Sequence, residues 1–318
     1  MEPNPPSPDS STVRYDGWRV ALLTVAPQVV AAVGELLRTK GHELAALVLP
    51  AGPDGPRPKT PHSWSMMQRL LQEAPPGCDV LVASKRSRLT PLVESVKPDL
   101  LLSFFYPWRV PPEALAVPTR GAINAHPSLL PRLRGPNPLA WTLRNDEPEL
   151  AMTLHRMEAQ FDTGPILAQG THPLSDEDTI EVIADKVMTL FGQLLPEALS
   201  RITWGDIGEP QAEEQASQAT LFEESYREID WNDSARSIHL RVRACRMAGT
   251  RGGVPFIALA TLEGQRVQVL TTHLWTAEIP NLLSAPPGTV LTRGPDGALL
   301  VQCGDRPLLV AQSEPWKG

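Results

Sequence analysis

Val20-Ala21-Leu22-Leu23, then apolar residues at helical spacing over 29–37, then a second apolar run over 44–49, is the passage on which the fold turns. Lys40-Gly41 stops the helix, and the second run follows at once. Two short apolar runs joined by one amphipathic helix form a βαβ unit, which within one sheet is almost always a right-handed parallel crossover. The pattern repeats outward. Asp79-Val80-Leu81-Val82 is a third run, residues 90–96 a helix ended by Lys97-Pro98, residues 99–105 a fourth strand, and Ala122-Ile123-Asn124 the start of a fifth. This predicts an α/β domain on a doubly wound, mostly parallel sheet. From Met152 the signal changes to alternation, in Met152-Thr153-Leu154-His155 and Pro165-Ile166-Leu167-Ala168, joined by the turn-type Phe161-Asp162-Thr163-Gly164. These read as antiparallel additions. A helix over 178–202, opened by capping-type residues, closes the domain.

Beyond it the chain changes character. Residues 203–219 are polar and acidic without periodicity, and later residues read as a short helix with Ile238, Val242 and Cys245 on one face, followed by strands over 256–262, 267–271, 288–292, 298–303 and 307–310. Several short strands with Gly and Pro turns predict a small, β-rich open barrel. The predicted organisation is a disordered Pro/Ser-rich leader over 1–15, a catalytic domain over 16–203, a linker over 204–219 and the barrel over 220–318. Residues 51–62 form a loop with four prolines and two glycines, long enough to bind something.

Composition narrows the chemistry. With 318 residues, of which 42% are hydrophobic and 20% charged, the chain is long enough to bury a core without staples or metals. A net charge of −7 argues against a broad basic surface and toward a small-molecule partner. Cys78, Cys245 and Cys303 are widely spaced and read as reduced thiols, the histidines lack metal-ligand spacing, and no run suits a membrane span or an export signal. The expectation is a cytoplasmic protein with no metal and no membrane partner. No G-x-G-x-x-G follows a strand, and neither a P-loop nor G-x-S-x-G occurs, which disfavours dinucleotide oxidoreductases, P-loop NTPases and α/β-hydrolases.

The concentrated signal is the run Ile123-Asn124-Ala125-His126-Pro127-Ser128-Leu129-Leu130-Pro131-Arg132-Leu133-Arg134-Gly135. Asn124 and His126, two apart on a strand, share a face at its carboxyl end, where parallel sheets bind ligands. An amide can donate to a carbonyl oxygen, and an imidazole can carry a proton or stabilise an oxyanion. Asp162, in its tight turn, returns to the sheet where it can bring a carboxylate to the histidine. Singly, Asn124 reads equally as a turn former, His126 as a satisfied core histidine and Asp162 as a turn-capping residue. The combination with Ser-Leu-Leu-Pro shifts the balance toward chemistry.

With those residues in view, the sequence resembles the 10-formyltetrahydrofolate-dependent formyltransferases, a family of tRNA, ribonucleotide and sugar-nucleotide enzymes. Their hallmark is Asn-x-His, Ser-Leu-Leu-Pro, a basic residue with Gly-x-x-Pro, and an Asp-Thr-Gly turn, matched here by Asn124, His126, Ser128 to Pro131, Arg134-Gly135, Pro138 and Asp162-Thr163-Gly164. The resemblance implies a Rossmann-like formyltransferase fold, Asn124, His126 and Asp162 as catalytic residues, and 10-formyltetrahydrofolate as formyl donor. Strand-end loops would form the folate slot. They supply Phe104, Tyr106, Trp108 and Val110 from one stretch, Ser128, Leu129, Leu130 and Pro131 from a second, and Gln160, Phe161 and Gly164 from a third. For chemistry, Asn124 and a protonated His126 suit the formyl oxygen, and Asp162 beside His126 is expected to raise the imidazole's pKa.

Acceptor recognition is assigned to Trp18, Arg134, Pro138 and Trp141 together with the 51–62 loop. Ser103-Phe104-Phe105-Tyr106, the Trp141 region and Thr153-Leu154-His155-Arg156-Met157 look closer to the sugar formyltransferases. The acceptor is therefore expected to be the amine of a small metabolite, such as an amino sugar nucleotide, a hydroxylamine or an antibiotic precursor. Methionyl-tRNA is the alternative, and an inactive folate-binding or partner-binding member a second one. Arg236, His239, Arg241, Arg243, Arg246 and Arg251 make a basic stripe that reads first as a solvated helix face, then as a phosphate contact, and last as a tRNA contact.

Overall fold

The computed structural model describes residues 17–51, 60–251, 254–277 and 285–317. The expected leader and residues 52–59 of the long loop lie outside the described residues.

The first crossover forms as its apolar pattern dictates, with β1 (Arg19–Leu23), α1 (Pro27–Thr39) and β2 (Glu43–Pro50), the two strands parallel. Next comes a helix that the sequence reading lacked, α2 (Pro61–Glu73), whose start is fixed by Thr60 and Ser63 capping each other. Then follow β3 (Asp79–Ala83), α3 (Leu89–Val96), β4 (Leu100–Phe104), the short α4 (Pro112–Leu115) and β5 (Ala122–His126). Another unforeseen helix, α5 (Pro138–Arg144), leads into β6 (Glu149–Arg156), β7 (Ile166–Pro173) and the long α6 (Ile180–Thr203).

The seven strands order as β3-β2-β1-β4-β5-β6-β7, with β1 to β5 parallel and β6 and β7 antiparallel additions, as the alternation predicts. Side chains alternate across β1: Val20 and Leu22 join the cluster containing Val29 and Val33 of α1 and Val187 of α6, while Ala21 and Leu23 join Leu89 and Val93 of α3. A strand without a polar face needs cover on both sides, which is the physical basis of the doubly wound arrangement. On β5, Ile123 and Ala125 enter the first cluster, so Asn124 and His126 face the opposite side at the strand's carboxyl end.

The second unit opens with α7 (Ala235–Met247), capped by Ser234, and a small hairpin of β8 (Thr250–Arg251) and β9 (Val254–Pro255). Its antiparallel sheet comprises β10 (Ala258–Leu262), β11 (Gln265–Leu274), β12 (Val290–Arg293), β13 (Leu299–Gln302) and β14 (Pro307–Pro315), in the order β10-β11-β14-β13-β12. Ile238, Val242 and Cys245 are buried, as their spacing requires. The basic stripe on the same helix is only in part a solvated face: Arg236 and Arg246 are exposed, whereas His239 and Arg243 are buried. Arg236 pairs with Asp146 and Asp176, Arg243 is buried with its guanidinium on the Ser175 and Asp178 carbonyls, and buried His239 bonds Thr272. Burial pushes the His239 imidazole down to about 4. Ion pairs in this stripe therefore dock the second unit onto the first. Of Arg251 the side chain lies outside the described residues.

Residues 204–219 are also not slack. Ile166 and Glu209 exchange backbone hydrogen bonds of 2.7 and 2.9 Å, and Arg134 exchanges bonds with Ser217 and Ala219 at 2.9 and 2.7 Å. The acidic, aperiodic composition reflects an extended segment bonded through its backbone, which leaves no hydrophobic period to read. Among the described residues no helix is long and apolar enough to cross a membrane.

Candidate active site

The carboxyl ends of β4 and β5 open into a cavity of about 630 Å³, within the ordinary range for small-molecule sites. Asn124, His126 and Asp162, proposed from sequence as a set, all line it. The β5–β6 register places Asn124 directly opposite His155, and this second histidine completes the cluster. Asp162 Oδ1 lies 3.6 Å from His126 Nδ1 and 3.6 Å from His155 Nε2. Asp162 Oδ2 accepts from the Gly135 N–H at 2.9 Å.

Backbone carbonyls assign the ring protons. His126 Nε2 lies 2.8 Å from the Leu133 carbonyl and His155 Nδ1 lies 2.7 Å from that of Arg156. A carbonyl only accepts, so those nitrogens carry hydrogen. His155 Nε2 is then the acceptor for Asn124 Nδ2 at 3.3 Å, which fixes the Asn124 amide and leaves its second N–H for another oxygen. His126 Nδ1 is then the ring nitrogen without hydrogen, facing Asp162.

Electrostatics differ from expectation at one point. Burial of the His126 ring lowers its pKa; the Asp162 charge acts in the expected raising direction, but burial is the larger influence and the net shift is downward. The resting imidazole is neutral, not protonated. Burial opposes the charge on Asp162 as well, but a hydrogen bond from His155, the positive charge that the two imidazoles carry when protonated and the Gly135 N–H outweigh it and hold the carboxyl at about 2. Asp162 itself adopts a left-handed φ of 57°, a conformation Asp tolerates better than most residues. Its turn also needs Gly164, since a Cβ there would stand 2.0 Å from the Arg156 carbonyl oxygen.

Of the residues assigned to folate, Tyr106, Trp108, Val110, Gln160 and Phe161 line the cavity. Phe104 does not: it is fully buried against Phe191, because alternation on β4 turns it into the core. Ser128, Leu129, Leu130 and Pro131 are absent from the lining: Leu129 is exposed, and Thr153 Oγ1 accepts from the Leu130 N–H at 3.1 Å and donates to the Ser128 carbonyl at 2.7 Å. Gly164 is likewise outside the lining and serves the turn.

Among the described residues of the acceptor candidates, Pro138 alone lines the cavity. Trp18 is buried beside the amino end of β1, far from the strands' carboxyl ends, with its ring stacked on His42 at 4.6 Å. The buried Arg134 guanidinium is held by Gln211 and Glu213, and Trp141 Nε1 donates to the Thr220 carbonyl. Of the 51–62 loop, Thr60 caps α2, residues 61–62 begin it, and most of the remainder lies outside the described residues.

Several lining residues were missed. Asn137 carries no motif signal, Met157 was read only as part of a family-like stretch and not as lining, and Met247 and Ala248 reach the cavity from the end of α7, so the second unit contributes wall to the site. His155 was open to discovery, being two residues beyond Thr153 on an alternating strand, but its partnership with Asn124 depends on register. Two polar atoms at the cavity have no protein partner although buried, the Tyr106 hydroxyl and Asn137 Nδ2. Such groups are costly unless a ligand or water satisfies them.

A family model described as "Formyl transferase" matches residues 64–199, and one described as "Formyl transferase, C-terminal domain" matches residues 223–317. A relative named methionyl-tRNA formyltransferase, from Acetivibrio thermocellus, is 32% identical over 275 residues, covering 85% of this chain and 83% of its own length. Among solved structures, a HypX variant from Aquifex aeolicus superposes with a TM-score of 0.67 at 20% identity, covering 95% of this chain and 46% of that one. A 4-N formyltransferase from Francisella tularensis gives 0.61 at 18% identity, over 82% of this chain and 99% of that one. These two likenesses speak to fold; the family matches and the sequence identity across both units carry the assignment, and the chain belongs to the 10-formyltetrahydrofolate-dependent formyltransferases, a family of enzymes.

Proposed function

We propose that the chain transfers the formyl group of 10-formyltetrahydrofolate to the α-amine of methionyl-tRNA. The observation that carries this reading is the 32% identity to a methionyl-tRNA formyltransferase across 85% of this chain, spanning both units. It reverses the order of acceptors expected from the sequence, where a small metabolite came first.

The cavity suits the donor. Its apolar wall of Trp108, Val110 and Met157 fits a flat ring system, and the unpartnered Tyr106 hydroxyl offers a hydrogen bond to a ring heteroatom or carbonyl. Bound there, the folate supplies an activated formyl group. Asn124 offers its second Nδ2–H to the formyl oxygen, where negative charge grows as the amine attacks. His126 Nδ1, free of hydrogen in the neutral ring, takes the proton that the amine must lose. Asp162, ionised and 3.6 Å away, stabilises the resulting imidazolium, which then returns the proton to the departing nitrogen. His155 holds the Asn124 amide in the orientation this requires.

A second reading, transfer to a small amine, is favoured by one observation. The second unit's cations are largely engaged: Arg241 with Asp233, Arg266 with Glu228, Arg293 with Glu263 and Arg306 with Asp305, besides the docking pairs of Arg236 and Arg243. A tRNA backbone is held by cations that face it. The deciding experiment offers equal concentrations of methionyl-tRNA and UDP-4-amino-4-deoxyarabinose to the full chain and reads the donor-dependent formyl mass increase. Faster formylation of methionyl-tRNA is the expected result. Faster formylation of the sugar nucleotide overturns the tRNA reading in favour of the second.

A further inference from the structure

We propose that residues 209–219, the segment joining the two units, form a positioning strap that holds His126 and Asp162 at their working separation, with Gln211 and Ser217 as its positioning residues. The proposal rests on the catalytic reading of that pair, but not on which amine is the acceptor.

Neither member of the pair is held by its own strand alone. Asp162 sits on a loop in a left-handed conformation, which persists where neighbours support it. One such neighbour is Gln211. Its Nε2 donates to the carbonyls of Asp162 and of Gly164, at 2.9 and 2.8 Å, so both ends of the turn are tied to one amide. Gln211 in turn is fixed from behind, since its Oε1 accepts from Arg134 Nε and Nη2 at 3.1 and 2.6 Å, and Glu213 holds the same guanidinium at 2.9 and 2.7 Å. Arg134 is therefore the anchor of the strap, which explains a buried arginine immediately beside the active site.

His126 is held through Leu133, whose carbonyl shares a peptide group with the Arg134 N–H that donates to the Ser217 carbonyl at 2.9 Å. The Leu133 carbonyl accepts from His126 Nε2 at 2.8 Å, and the Leu133 N–H donates to Ser217 Oγ at 2.9 Å. The strap thus grips the imidazole's carbonyl partner at one point and the carboxylate's turn at another, six residues apart. The Gly135 N–H on Asp162 Oδ2 and the β5–β6 register of His126 hold the pair from the site side, and the strap holds both members from behind at their 3.6 Å separation. The strap lies between the two stretches that the family models match, 64–199 and 223–317.

The test uses the full chain with 10-formyltetrahydrofolate and whichever of methionyl-tRNA or UDP-4-amino-4-deoxyarabinose the wild type formylates faster. Gln211→Ala and Gln211→Glu both remove the Nε2 donors, and Gln211→Glu retains the oxygen that Arg134 grips, so it protects the fold if the alanine variant fails to accumulate. Expected is a 10- to 100-fold loss of kcat with KM for donor and acceptor within about twofold. In an NMR titration, the His126 ring should titrate lower than in wild type, because the Asp162 charge has moved away. Ser217→Ala should lose several-fold in kcat, and Ser217→Thr, which keeps the hydroxyl, should restore it. Folded Gln211 variants with kcat within twofold of wild type, or a lower melting temperature with His126 titrating unchanged, overturn the proposal. Asp162→Asn is assayed alongside: if it is inactive while the strap variants are active, only the strap fails, and if it is active, the catalytic reading falls and the strap with it.

Discussion

Replacing Asp162 by Asn isolates charge from shape. The asparagine keeps an oxygen for the Gly135 N–H, now 2.9 Å from the carboxylate, and Asn is among the residues that best tolerate the φ of 57° found there. What disappears is a negative charge 3.6 Å from the imidazole that must become cationic as the amine loses its proton. With an effective dielectric of about 20, a unit pair at that distance interacts by about 4–5 kcal/mol, and each 1.36 kcal/mol is a tenfold change in rate, so kcat should fall by about 10³. Mobile water filling part of the gap sets the lower bound near 10², and the usual range of general acid–base effects gives about 10⁴ as the upper one. The assay is single-turnover formyl transfer followed by mass spectrometry, with urea unfolding at pH 7 to show that the variant is folded. A folded Asp162→Asn variant within threefold of the wild-type rate would refute the reasoning and leave Asp162 as a turn residue.

Acid should weaken the fold through the same carboxyl. Its folded pKa of about 2 lies below the ordinary 3.8, so the unfolded chain binds the proton first; the stabilisation, about 2 kcal/mol, is complete above pH 4 and lost as pH falls through 2. Urea midpoints between pH 5 and 2 should fall more steeply for wild type than for Asp162→Asn, and parallel curves would contradict this. Tyr106→Phe should leave the unliganded protein as stable or slightly more so, because the lost hydroxyl is buried without a partner, while weakening folate binding about tenfold by calorimetry. Unchanged folate affinity would remove Tyr106 from the donor site. Trp18→Ala should cost about 3 kcal/mol in urea unfolding with KM for the acceptor unaltered, since the ring is buried at the far end of β1; a raised KM with unchanged stability would return Trp18 to acceptor recognition.

How much of this was legible in the sequence depends on whether the cause is local. The β1–α1–β2 crossover was readable because each residue's periodicity states which face it buries, and Val20 and Ala21 do part into separate clusters. Asn124 and His126 were readable for the same reason, as period two on a strand puts them together without further knowledge. Phe104 was misassigned because that same alternation, carried one residue along β4, turns it inward, whereas Tyr106 lies beyond the strand where alternation no longer rules. α2 escaped because its start depends on a Thr60–Ser63 exchange following a Pro-rich loop, and its exposed positions dilute the apolar period. His155 and Gln211 escaped for a deeper reason. Their roles depend on antiparallel register and on backbone carbonyls 47 and 49 residues away, neither of which leaves a mark in side-chain pattern. Arg134 joins the two cases. Its place beside Gly135 in a motif pointed to the site, but a guanidinium buried to 5% exposure in an acidic segment's grip acts on the site through the segment it anchors. A motif residue can therefore be near the chemistry because it holds the frame, and the partners it holds, Gln211 and Glu213, reveal which.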